Sequence, residues 1–193
     1  MIYVGKVLNA KGTDDLVRLN TANDILGGNF LSRINMNLRE DKGWSYGVRS
    51  GVSQPLNQGA FTLRAPVQSD RTGDSIAEIR RQIAEFSSTK GDTAEELQWS
   101  TMGSARQLPG QFETSGEVLG GLASIVTYGR ADDYYETLAG RYQAMTPAEA
   151  NAAARSAALN LGLVYVVVGD AAKVRPQLTK LGLPVELQAA SDK

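Results

Sequence analysis

Hydrophobic positions change period several times along this chain, and each change marks an element. Ile2 to Lys6 is short and largely apolar and reads as a strand, followed by the turn-rich Asn9-Ala10-Lys11-Gly12. Thr13 is placed to cap a helix whose first turn would hold Asp14 and Asp15. Leu16, Leu19, Ile25 and Leu26 give that helix an apolar face up to a stop at Gly27-Gly28. A second helix is predicted from about Asn29, where Phe30, Ile34 and Leu38 recur every four residues beside Leu31. From Trp44 the period becomes two: Trp44, Tyr46 and Val48 alternate with Ser45, Gly47 and Arg49. After a turn over residues 54–59, Phe61, Leu63 and Ala65 alternate with Thr62 and Arg64. These runs predict antiparallel pairing of Trp44–Val52 with Ala60–Val67.

Helical spacing then returns. Ile76, Ile79, Ile83 and Phe86 share one stripe. Thr93 with Glu96, and Thr146 with Glu149, each form the Thr-x-x-Glu capping pattern, and Pro147 takes the favoured first helical position. Residues 107–111 mark the best break between helices. The chain closes with a buried-looking strand over Leu163–Val168, a helix over Ala171–Leu181 and a short strand at Val185–Leu187. The order predicts an α+β fold, a sheet containing an antiparallel hairpin with helices packed mainly on one face. No repeat or linker divides residues 1–193, so one domain is expected.

Composition narrows the function classes. Across 193 residues, 42% are hydrophobic and 21% charged, as in ordinary globular chains. Twenty basic against 21 acidic residues leave a net charge of −1, giving no reason to expect nucleic acid or an anionic membrane. No apolar run approaches the ~18 residues of a membrane span. There is no histidine and no cysteine, so thiolate chemistry is excluded and the usual zinc donors are missing. The acidic pairs Asp14-Asp15, Glu95-Glu96 and Asp132-Asp133 do not follow a calcium-loop spacing. Neither phosphate-loop pattern accompanies Gly27-Gly28, and Gly169-Asp170 reads as a strand end whose Asp170 caps the next helix.

Gly27-Gly28-Asn29-Phe30-Leu31-Ser32-Arg33, followed by Leu38-Arg39-Glu40-Asp41-Lys42-Gly43-Trp44-Ser45-Tyr46-Gly47-Val48, is the most informative stretch. It resembles the signature of the non-catalytic half of the insulinase/pitrilysin family of zinc metallopeptidases. The resemblance is specific there and looser at Tyr128-Gly129, Thr146-Pro147 and the Val168-Gly169-Asp170 strand end. It implies that Arg39 and Tyr46, seven residues apart, hold a peptide substrate and support its transition state, with Gly27 and Gly28 in a turn near the cleft. Gly116–Gly121 corresponds only loosely to a second glycine segment, and helix termination is the reading favoured for both glycine groups. From the residues alone, Arg39 could instead pair with a neighbouring acid and Tyr46 could pack beside Trp44 and Val48. Tyr128, Tyr134, Tyr135 and Tyr142 are read as packing or cleft-lining residues.

The family's H-x-x-E-H zinc motif cannot exist in a chain without histidine. The resemblance therefore implies a chain that binds no cofactor itself and cuts no peptide alone. Zinc would belong to a homologous catalytic half, on the same chain or a separate subunit, with a peptide as the shared substrate. The start of the chain, almost inside a strand, suggests truncation within a longer two-half peptidase. The compartment is open; for a bacterial protein the periplasm is favoured over the cytoplasm. The alternative function is a catalytically dead scaffold, or a peptide-binding subunit, of the same superfamily.

Overall fold

A computed structural model describes residues 1–188. Strand β1 (Ile2–Val7) lies inside a four-stranded antiparallel sheet with β2 (Arg49–Ser53), β3 (Ala60–Ala65) and β4 (Val164–Val167), in the order β2-β3-β1-β4. The β2–β3 hairpin has the expected pairing, extended by an isolated bridge between Ser45 and Val67. Alternation sorts the two faces of the sheet. Ile2, Val4, Phe61, Leu63 and Ala65 are buried. They meet α3 (Thr72–Phe86), whose Ile76, Ile79, Ile83 and Phe86 are buried in the same core. Tyr3, Thr62, Arg64, Val164 and Val166 are exposed on the opposite face. Helices therefore cover one face of the sheet, as the sequence pattern predicts.

The remaining helices are α4 (Ala94–Gln107), α5 (Ser115–Tyr128), α6 (Tyr134–Ala144), α7 (Pro147–Ser156) and α8 (Ala171–Thr179). The predicted capping boxes at Thr93/Glu96 and Thr146/Glu149 both form, and a third occurs at Thr114/Glu117. Asp170 caps α8 by accepting from the Ala172 amide at 3.0 Å.

Several local expectations are corrected. The first helix, α1 (Val17–Asn23), starts after Thr13, because Asp14 takes the Lys11 amide in a turn and Asp15 takes the Val17 amide. Gly116–Gly121 does not terminate a helix: its capping box makes it the start of α5, and the stop is Gly129, in left-handed conformation. Val164 and Val166 lie with Tyr3 on the sheet face that the helices leave open, so they are exposed rather than buried, as is Val168. No strand forms at Val185–Leu187, and α8 ends at Thr179 rather than Leu181.

Candidate functional site

The region of the glycine pair and Arg39 is built from two helical segments that loosen into π turns. Helix α1 continues as a π turn over Asp24–Gly28, and the three-residue helix α2 (Arg33–Asn35) continues as one over Met36–Asp41. Such i→i+5 turns widen the backbone and displace side chains from the 3.6 period. The helical stripe predicted over Phe30, Ile34 and Leu38 is accordingly broken. Ile34 and Leu38 are fully buried, but α2 starts at Arg33, leaving Phe30 and Leu31 half-exposed in the preceding loop. Asn29 shapes that loop, its side chain accepting from the Leu31 amide at 2.9 Å and its carbonyl from the Ser32 hydroxyl at 2.6 Å.

Gly27 and Gly28 do end the first helical segment, but their space requirement is the stronger constraint. A Cβ on Gly27 would meet Ser50 Oγ of β2 at 2.5 Å; one on Gly28 would meet Asp24 Oδ1 at 2.5 Å. The glycine pair lets the π turn lie directly on the edge strand. Asn23 and Ser50 hydrogen-bond across this contact at 2.7 Å.

Asn35 fixes the geometry next to it. Its side chain is fully buried, donates from Nδ2 to the Phe30 carbonyl at 2.5 Å, and accepts at Oδ1 from the Val48 amide at 2.7 Å. One buried amide thus ties the Phe30 loop, the helix leading to Arg39 and the strand leading from Tyr46. The segment before Val48 is held equally firmly: Trp44 and Ser45 amides donate to the Leu38 carbonyl, and Ser45 Oγ donates to the Pro66 carbonyl at 2.6 Å.

Alternation in that segment holds at Trp44, Val48 and Arg49 but is exchanged at Ser45 and Tyr46. Ser45 and Val48 face inward, and Tyr46 is 97% exposed. A core position for Tyr46 is therefore wrong. Arg39 lies over the Phe30 ring, its guanidinium carbon 4.3 Å from the centroid, and Arg49 approaches the same ring at 5.8 Å. Arg39 Nε meets the Glu40 carboxylate at 3.4 Å, an exposed neighbour, while Nη1 is buried with no hydrogen-bond partner.

Two clefts adjoin the glycine turn. One of about 390 Å³ is lined by Asp24, Gly28, Asn29, Met102 and Arg106; another of about 240 Å³ by Ile25, Leu31, Ser32 and Glu96; Trp99 borders both. Burial pushes the Asp24 carboxyl up to about 6. A larger cleft, about 720 Å³, lies elsewhere, between α2, α3 and the 89–93 loop. Its charges are mostly spent on each other: Arg81 with Glu78 and Glu85, Lys90 with Glu85, and Arg33 with Glu96. Asp92 is the exception. It is 6% exposed, with both carboxylate oxygens buried and unpartnered, and burial pushes its carboxyl up to about 7.

Phe30, Asn35, Arg49 and Trp99 had no site role in the sequence pattern. Asn35 carried a signal, a polar residue beside Ile34 at the core-facing side of a helix; the other three did not. The tyrosines after α4 pack as expected, Tyr134 and Tyr135 in T-shaped contact and Tyr128 donating to the Gln54 carbonyl. No group of three or more acidic residues stands close enough to hold a metal ion among the described residues.

A family model described as the peptidase M16 inactive domain matches residues 1–98. Comparison with curated protein sequences finds no match. Among solved structures, the chain is similar to the peptidase M16 inactive domain from Pseudomonas fluorescens, at 23% identity and a TM-score of 0.75, over 85% of this chain and 39% of that one. It is similar to the inactive peptidase domain of a provisionally assigned zinc protease from Bordetella parapertussis, at 16% identity and a TM-score of 0.72, over 88% and 91%. The periplasmic protease PqqL from Escherichia coli aligns at 17% identity and a TM-score of 0.66, over 80% of this chain and 17% of that one. At such identities the structural likeness establishes the fold, and this chain covers well under half of the Pseudomonas and Escherichia proteins. With the family model spanning half of its length, the chain belongs to the peptidase M16 inactive domain family.

Proposed function

We propose that this chain is the non-catalytic half of a zinc-dependent endopeptidase, closing a proteolytic chamber and binding the peptide through Arg39 and Tyr46. Zinc would sit on a homologous catalytic half, on the same chain or on a partner subunit. This chain's own residues do not fit the metal, since they include no histidine or cysteine.

The exposure of Tyr46 carries the proposal. Its backbone neighbours are locked by hydrogen bonds, yet its phenol is 97% exposed and contributes nothing to the core. A phenol and a guanidinium are donors of the kind that suits a carbonyl oxygen gaining negative charge during hydrolysis. Arg39 is held for the same task by the Phe30 ring, which restrains the guanidinium without consuming its hydrogen-bond donors. A scaffold subunit would have no use for this pair.

The test is Arg39→Ala and Tyr46→Phe in the complex with the catalytic half. Loss of one preorganised donor is expected to lower kcat/KM ~10²–10³-fold, about 3–4 kcal/mol in the transition state. Unchanged peptidase activity in both variants would refute the proposal in favour of a scaffold.

A further inference from the structure

We propose that Arg39 and Arg49, which both approach the Phe30 ring, and Arg64, the cross-strand partner of Arg49, form a subsite for an acidic side chain of the bound peptide, which makes acidic peptides the preferred substrate class. This inference rests on the reading of Arg39 and Tyr46 as peptide-binding residues and adds a selectivity to it.

Arg49 and Arg64 are direct cross-strand partners in β2 and β3, and both side chains are exposed on the face away from the helices. Like charges placed opposite each other weaken a strand pair. Nothing in the described fold relieves that repulsion, because neither arginine has a carboxylate within 4.0 Å among the described residues. Arg39 adds a third cation, joined to Arg49 through the half-exposed Phe30 ring between them. Among the described residues, the only acid paired with the group is the exposed Glu40, through Arg39 Nε. The concentration of positive charge is local, since the chain as a whole carries −1.

The arginines are also restrained. Arg49 donates from Nη1 to the Val48 carbonyl at 2.8 Å, and Arg39 is held by the ring. The remaining N–H groups of Arg49 are left for a carboxylate, while Arg39, with Nη1 buried and Nε on Glu40, adds its charge to the group. Tyr46 lies three residues before Arg49 on the same firmly held segment, so a peptide held by Tyr46 would pass the arginines within a few residues. Glutamate or aspartate there would be recognised by charge-assisted hydrogen bonds, lysine repelled, and glutamine left with weaker neutral ones.

The experiment is calorimetric titration of the purified chain with one host peptide carrying Glu, Gln or Lys at a single position. Both peptide ends are blocked, which removes the terminal carboxylate as a rival ligand. The Glu peptide is expected to bind ~10-fold more tightly than the Gln peptide at low salt, the equivalent of one charge-assisted contact. That advantage should shrink at high salt. Arg49→Gln with Arg64→Gln should bring the Glu peptide down to near the Gln peptide while weakening the Gln peptide far less; both side chains are exposed, so the fold is retained. Equal affinities for the Glu and Gln peptides, absence of binding by any of them, or a Glu preference that survives both substitutions would overturn the proposal. Tyr46→Phe separates the two layers. If it weakens all peptides alike while Glu and Gln peptides bind equally, the acid subsite is wrong and the Arg39/Tyr46 reading stands. If Tyr46→Phe changes neither peptide binding nor activity in the assembled enzyme, the underlying reading fails.

Discussion

Replacing Asp92 with asparagine should stabilise this protein at alkaline pH, and the size of the effect follows from the site. Both Asp92 oxygens are buried without a hydrogen-bond partner, and burial raises the carboxyl from 3.8 to about 7, with Arg33 opposing and Glu96 adding to the rise. Its backbone is held by Asn151, which accepts from the Asp92 amide at 2.6 Å and donates to its carbonyl at 3.2 Å. Between pH ~4 and ~7 the folded state holds a proton that the unfolded chain has lost. Stability must therefore fall as pH rises through that window. Each tenfold gain in proton affinity corresponds to ~1.4 kcal/mol, so the penalty is at most about 4 kcal/mol by pH 8. Asparagine has the same shape and no charge. The advantage of Asp92→Asn over the parent should thus be ~1–2 kcal/mol at pH 5 and should grow by a further ~2–3 kcal/mol at pH 8. With a urea dependence of ~2–3 kcal/mol per molar, that growth is a midpoint difference of about 1 M. Glu96 does not confuse the comparison: burial raises its carboxyl, but hydrogen bonds from Arg33 and Thr93 bring it down to about 2, so its contribution is nearly complete by pH 5 and changes little above it. Urea titrations of both proteins at pH 5 and 8, followed by tryptophan fluorescence, measure the effect. A parent midpoint that holds or rises between pH 5 and 8, or a variant that tracks the parent at both, refutes the reasoning.

Other substitutions test the packing around the site. Gly27→Ala should cost ~1–3 kcal/mol in chemical denaturation, because its Cβ must displace Ser50 from β2, whereas Gly5→Ala, whose Cβ meets nothing within 4 Å, should be neutral or stabilise by ~0.5–1 kcal/mol. Tyr46→Ala should leave stability within ~0.5 kcal/mol of the parent, as expected for an exposed side chain; a larger thermal shift would return Tyr46 to a structural role. Arg33→Ala should destabilise by ~2–3 kcal/mol in the same denaturation assay, since it strands the Glu96 carboxylate and removes donors from the Lys90 and Gly91 carbonyls.

The sequence made the fold legible wherever local chemistry and tertiary packing agreed. The Phe61–Ala65 alternation, the Ile76–Phe86 stripe and the Thr-x-x-Glu boxes are short-range patterns, and each formed as expected. Local patterns misled where a long-range partner overrode them. Tyr46 continues a period-two run, but the Ser45–Val67 bridge and the Asn35–Val48 bond turn Ser45 and Val48 inward and leave Tyr46 outside. Phe30 fits the spacing of Ile34 and Leu38, but the helix begins only at Arg33 and leaves Phe30 in the loop before it. Val164 and Val166 look buried because they are apolar, while their exposure depends on which face of the sheet the helices cover, which no local spacing encodes. Arg39 and Tyr46 were legible through family likeness; their neighbours Asn35 and Arg49 required knowing which strand and loop face each other.

The sheet also has a bearing on how a cell must handle this polypeptide. β4 lies at one edge with Val164, Val166 and Val168 exposed along it, and Tyr3 lies beside them on β1. Among the described residues no strand pairs with the outer side of β4, and an unpaired edge is a template for strand addition by an extended chain. A copy that is left uncovered therefore competes between capture by chaperones, self-association and degradation, and the balance worsens with concentration. Its abundance in the cell should follow the supply of whatever surface covers β4, more closely than its own rate of synthesis.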